Sequence, residues 1–119
     1  MVSFKDERGF IVDLLENEKI EAVTYLTFTK NAIRGNHFHK ETIQWCFVVS
    51  GKLLVRTQKP GVPVKDYRMK KGDFFVDEPM EAHAFKALEP TEIMVFTKGP
   101  RGGKEYETDT YRLDKPLIG

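Results

Sequence analysis

The stretch RGNHFHKETIQW, residues 34–45, holds two of the three histidines of the chain, two positions apart, with Lys40 directly after the pair and Arg34 shortly before it. On a β-strand, side chains two apart point to the same face, so His37 and His39 project together. They converge on one ion or one substrate only if that face is the interior of a curved sheet. The rest of the sequence is rich in candidate strands. AVTYLTF (22–28), WCFVVS (45–50), KLLVRTQ (52–58), DFFV (73–76), HAFKAL (83–88) and EIMVF (92–96) are short runs of β-branched and aromatic residues. Turn signals separate them at Lys30-Asn31, Ser50-Gly51, Pro60-Gly61, Lys71-Gly72, Glu89-Pro90 and Gly99-Pro100. The pattern predicts an all-β barrel or sandwich in one domain, residues 1–119. The single helix candidate, around LLENEKIEA (14–22), is too short to stand alone. The tail after Gly99 is loop-rich and is expected to wrap the barrel or a neighbouring subunit.

Composition narrows the function classes. A chain of 119 residues, 40% apolar and 31% charged with both signs interspersed, is an ordinary globular composition. A net charge of +1 gives no reason to expect nucleic acid, and the short basic cluster Arg68, Lys70, Lys71 reads as a solvated turn face. No apolar run approaches the ~18 residues of a membrane span, and MVSFKDERGF lacks the apolar core of a signal peptide. No membrane contact is expected. The single cysteine, Cys46, forms no internal disulfide, lies in the apolar run WCFVV and reads as an inert buried thiol. A reducing cytoplasm is the expected compartment.

The third histidine, His83, opens another strand after the acidic, proline-containing turn DEPMEAH. These positions resemble the two short motifs of the cupins, small jelly-roll (double-stranded β-helix) barrels. Asn31, His37, His39, Gln44 and Gly51 fall on the first motif, with asparagine in place of its first glycine and glutamine in place of its glutamate. Gly72, Pro79 and His83 fall on the second, with Met80 for a glycine and Ala87 for an asparagine. Asparagine tolerates the left-handed turn that the glycine serves. The resemblance implies a barrel with His37, His39, Gln44 and His83 facing one cavity. Strand parity then turns Cys46 and Val48 inward and Trp45 and Phe47 outward. A cupin metal site would comprise His37, His39, His83 and the residue at 44, here a neutral amide. Three imidazoles suit a divalent ion such as Zn, Fe, Ni or Mn, held more weakly without an anion. Glu41 shares the parity of the histidine pair and replaces the missing carboxylate if the strand continues that far.

A narrower resemblance runs through KDERGFIVDL, RGNHFHKETIQW and VVSGKL, which are similar to sugar-nucleotide-modifying cupins: the 3,4-ketoisomerases and 3,5-epimerases of dTDP-4-keto-6-deoxyhexoses. It covers residues 5–58, and a related RGNHxHK run occurs in capsular-polysaccharide enzymes. It implies an isomerase or epimerase that binds a nucleotide-activated 4-keto sugar, with His37 and His39 as active-site histidines. The chemistry is coherent, because a 4-keto group acidifies the neighbouring ring protons and histidine has the pKa of a base near neutrality. Tyr25 is the candidate acid, and Arg34, Lys40, Arg56 and Gln44 are the candidate substrate contacts. KLLVRTQ carries no aspartate, so the histidine–aspartate dyad of the epimerases is not expected there. A metal-dependent dioxygenase, a metal-assisted isomerase and a non-catalytic sugar- or metal-binding cupin stand as alternatives. An imidazole that gives its lone pair to a metal cannot also abstract a proton with it; the base then falls to Glu41, Glu81 or Tyr25. The chain therefore works with either no cofactor or one divalent ion. A homodimer is expected, with the N-terminal segment and the DTYRL tail as contacts.

Overall fold

The structure is a computed structural model that describes residues 3–99 and 108–119. Its strands are β1 (Phe4–Asp6), β2 (Gly9–Ile11), β3 (Ala22–Phe28), β4 (Ile33–Phe38), β5 (Ile43–Ser50), β6 (Lys52–Gln58), β7 (Lys65–Lys70), β8 (Phe74–Asp77), β9 (Ala82–Ala87), β10 (Thr91–Lys98) and β11 (Tyr111–Arg112). No helix occurs among the described residues, and none of their segments is a helix able to cross a membrane. The candidate helix at 14–22, too short to stand alone, is an irregular connection with a bend at Asn17 that enters β3 at Ala22. Without a partner for an apolar face, nine residues do not hold a helix in water.

All pairings are antiparallel. One sheet has the order β3-β10-β5-β8, the other β11-β4-β9-β6-β7, and β1-β2 form a separate hairpin. The expected barrel is thus built as two sheets whose apolar faces meet. Phe28, Cys46, Val48, Ile93 and Val95 from the first sheet pack with Leu53, Val55, Phe85 and Ala87 from the second. The alternation that places them is visible in β10, whose burial alternates along all eight residues. Cys46 and Val48 point inward, and Trp45 and Phe47 are only partly buried, as parity requires.

Two features aim β4 at the cavity. A register shift against β9 lies between Gly35 and His37, and Asn36 adopts a positive φ of 59° within it. Such a bulge re-aims the side chains after it. At Gly35 the two strands approach so closely that a Cβ would stand 2.9 Å from the His83 carbonyl oxygen. The glycine therefore lets the HxH strand lie directly against the strand that carries the third histidine.

Of the tail, residues 100–107 lie outside the described residues, and residues 108–119 pack on their own chain. β11 pairs with β4, with Arg112 opposite His37. Asn36 Oδ1 accepts from the backbone N–H groups of Leu117 and Ile118, and its amide donates to the Ile118 carbonyl. The DTYRL residues, expected at a subunit contact, complete the edge of their own chain's sheet, with Tyr111 still exposed there.

Candidate functional site

β4 and β9 bring the three histidines together: His37 lies opposite His83 in the register, and His39 follows at the end of β4. Ring centroids are 4.6 Å apart for His37–His83, 4.9 Å for His37–His39 and 5.3 Å for His39–His83. One nitrogen from each ring lies within 4.8 Å of the other two. They line a cavity of about 340 Å³ with Arg34, Gln44 and Arg112 among its polar residues, and Leu26, Ile93 and Val95 in its apolar wall.

The cluster is unsatisfied. His39 and His83 are buried, and His37 Nδ1, His39 Nε2 and both His83 nitrogens have no hydrogen-bond partner. Buried polar groups are normally paired, so several orphans aimed at one another mark a place for something else. Burial pushes His37 down to about 3, helped by the neighbouring His83, His39 and Arg112. Burial likewise holds His83 at about 3, with His39 adding to the effect. Both imidazoles are neutral at ordinary pH. Neutral imidazole is the ligand form, and a group with so low a pKa is a poor base near neutrality.

His39 is fixed by the tail. Its Nδ1 lies 2.8 Å from the Asp109 carbonyl, so Nδ1 carries the proton and Nε2 keeps the lone pair. The Asp109 carboxylate accepts from the backbone N–H groups of Lys40, Glu41 and Thr42 and from the Thr42 hydroxyl at 2.8–3.0 Å. Burial works against its charge, but these donors hold the carboxyl below its ordinary range. The turn after the HxH pair is thus clamped from a segment late in the chain.

Of the residues singled out in the sequence, His37, His39, His83, Gln44 and Arg34 share the cavity. Tyr25 does not. It lies on the outer face of β3, exposed, donating its hydroxyl to Glu92, and this bond raises its pKa. Arg56 is paired with Asp66 at 2.7 Å and also donates to the Leu117 carbonyl, away from the histidines. Lys40 sits over the Tyr111 ring at 4.3 Å rather than in the cavity. Glu41 is exposed, because β4 ends at Phe38 and the parity that would bring it inward is lost. Glu81 lines a different cavity, between β6, β7 and β8. Sequence reasoning missed Asp77, Asp109 and Arg112. Asp77 is fully buried, its Oδ1 lies 3.9 Å from His83 Nδ1, and burial pushes its carboxyl up to about 7. The signal for it was parity on DFFVD, where an aspartate shares a face with the core residue Phe75.

A family model for the polysaccharide biosynthesis C-terminal domain matches residues 4–111. The chain belongs to that family. No curated protein sequence matches the domain. Among solved structures it is similar to the capsular polysaccharide assembling protein CapF from Staphylococcus aureus, at TM-score 0.71 and 19% identity over 94% of this chain and 32% of that one. The domain therefore spans about a third of the length of CapF. It is also similar to QdtA, a sugar 3,4-ketoisomerase from Thermoanaerobacterium thermosaccharolyticum in complex with TDP, at TM-score 0.75 and 20% identity over 93% and 82% of the two chains. The Drosophila melanogaster CENP-C cupin domain matches at TM-score 0.60 and 15% identity over 66% and 57%. These likenesses establish the cupin fold of the domain.

Proposed function

We propose that this cupin modifies a nucleotide-activated keto sugar in the cavity between its two sheets, with His37, His39 and His83 holding one divalent metal ion beside the sugar. The observation that carries the reading is the set of unpartnered, buried imidazole nitrogens within 4.8 Å of one another. The residues fit such an ion. His37 and His83 are neutral, the three rings converge, and His39 is held from behind by a backbone carbonyl, as ligating histidines usually are. A divalent ion there would supply a Lewis acid for the sugar carbonyl. The protein's own part is to bind and orient. Arg34 and Arg112 line the cavity with positive charge suited to a diphosphate, Gln44 offers an amide to sugar hydroxyls, and the apolar wall excludes water. The family match to polysaccharide biosynthesis and the fold shared with a TDP-binding ketoisomerase support the substrate class.

A second reading has its own support. His39 is oriented like a general base, with Nδ1 donating to a carbonyl and Nε2 free in the cavity. Neither Tyr25, Glu41 nor Glu81 lines that cavity. In a metal-free protein His39 then moves the proton next to the ketone.

Metal analysis of untagged protein, joined to solvent-deuterium exchange on a dTDP-4-keto-6-deoxyhexose, separates the two. The metal reading expects one ion per chain, and loss of both ion and exchange in each of His37→Asn, His39→Asn and His83→Asn. Metal-free protein whose exchange falls roughly 10²–10⁴-fold in His39→Asn supports the second reading. Exchange that survives in all three variants removes both.

The domain acts as a homodimer in this reading. The outer face of the four-stranded sheet carries Val23 and Tyr25 of β3, Met94 and Phe96 of β10, Trp45 and Phe47 of β5, and Phe74 and Val76 of β8, in register across the strands. Phe4, Phe10 and Ile11 of the N-terminal hairpin are also exposed. Apolar surface of this extent suits burial against a second copy.

A further inference from the structure

The carboxylate that position 44 does not supply stands one strand away. Gln44 and Asp77 are directly paired on β5 and β8, and paired residues of neighbouring strands project to the same face, here the interior. Asp77 is fully buried. Its Oδ2 is approached by the Cys46 thiol at 3.8 Å, but its Oδ1 has no partner, and neither has His83 Nδ1, 3.9 Å away. An unmet acceptor and an unmet imidazole nitrogen, shut in the same interior and about 1 Å beyond bonding distance, are placed to pair if they close that gap, in competition with the Glu81 backbone beside the ring.

We propose that Asp77 is a positioning residue of the histidine cluster: it accepts the Nδ1–H of His83, turns the Nε2 lone pair toward His37 and His39, and, ionised when a cation occupies the site, places one negative charge beside the three imidazoles. This rests on the metal-holding reading of those histidines. Asp77 stays outside the group of atoms that converge within 4.8 Å, which comprises the three imidazoles alone, so it acts through His83. The arrangement matches that of His39, whose Nδ1 is held by the Asp109 carbonyl. Each of these two buried histidines thus has one acceptor of its own behind it. Gln44, lining the same cavity and 3.4 Å from the Thr97 hydroxyl, is left free of the charge-balancing role and available to a ligand.

Two measurements test it, the first on the wild-type protein with no metal added. Long-range proton–nitrogen NMR of the imidazoles at pH 8, where the Asp77 carboxyl is ionised, should find His83 protonated at Nδ1; protonation at Nε2 overturns the proposal. The second is a zinc titration of wild type, Asp77→Asn and Asp77→Asn/Gln44→Glu. The single variant should lose about 10- to 100-fold in zinc affinity, and the double variant should recover most of it by returning a carboxylate on the adjacent strand. Equal zinc affinity in wild type and Asp77→Asn overturns the proposal. A wild-type protein that takes up no zinc sinks the metal-holding reading instead, and the His83 tautomer still decides whether the Asp77–His83 bond exists.

Discussion

Burial makes the acid side of this protein's stability a property of single residues. The folded chain cannot protonate His37 or His83 until about pH 3, whereas the unfolded chain does so from about 6.5. Their contribution is present above pH 6.5 and is lost as the pH falls toward 3. Asp77 works in the opposite sense. Its folded carboxyl keeps a proton up to about pH 7 that the unfolded chain releases near 3.8, so its contribution is complete below 3.8 and lost as the pH rises through 7. Two histidines outweigh one aspartate below 6.5. Metal-free protein should therefore melt highest near pH 6.5 and level off slightly lower above pH 7, and Asp77→Asn should remove that small fall; thermal melts from pH 4 to 9 check both. The histidines were legible in the sequence because two-residue spacing states a shared face. The roles of Asp77 and Asp109 were not, since each depends on a neighbour in space rather than in sequence. Tyr25 was misassigned for a related reason. Both faces of AVTYLTF carry apolar or aromatic residues, so composition does not say which face looks inward.

At the scale of elements, turns with unusual backbones set the register. Gly51 joins β5 to β6 at φ 93°, and a Cβ there would meet the Thr91 hydroxyl and stand 2.6 Å from the Thr91 Cα. Gly51→Ala should cost about 1–3 kcal/mol in urea denaturation, because both the φ and the contact oppose it. Its neighbour in motif position, Asn31, adopts φ 70°, the left-handed turn expected of an asparagine standing for glycine. Met80, where the second motif has glycine, keeps the same kind of backbone at φ 67°, and its N–H donates to the His39 carbonyl at 2.6 Å. The motif's backbone is thus retained although its residue is not. The strands themselves were readable from alternation and turn residues. The segment 14–22, too short to stand alone as a helix, forms none, and the HxH strand stops before the point at which parity would turn Glu41 inward. Local pattern does not reveal that Asp109 captures the N–H groups at 40–42 and ends the strand there.

For the whole molecule, the apolar outer sheet and the exposed hairpin point to association. Light scattering at micromolar concentration should return a dimer, and Val23→Glu combined with Phe10→Glu should shift it to a monomer with a lower, concentration-independent melting temperature. A wild-type monomer would show that this face stays open in solution. A different consequence follows from the Asp109 clamp and concerns time rather than space. His37 and His39 are made before His83, and the carbonyl that orients His39 belongs to a residue 70 positions after it. Contacts of such sequence separation form late and slowly. A chain not yet made as far as residue 109 therefore carries the histidine pair without its clamp. The cluster is complete only when the Asp109 segment closes over the turn, so an ion, if the site holds one, would be captured late in folding rather than at its nucleus.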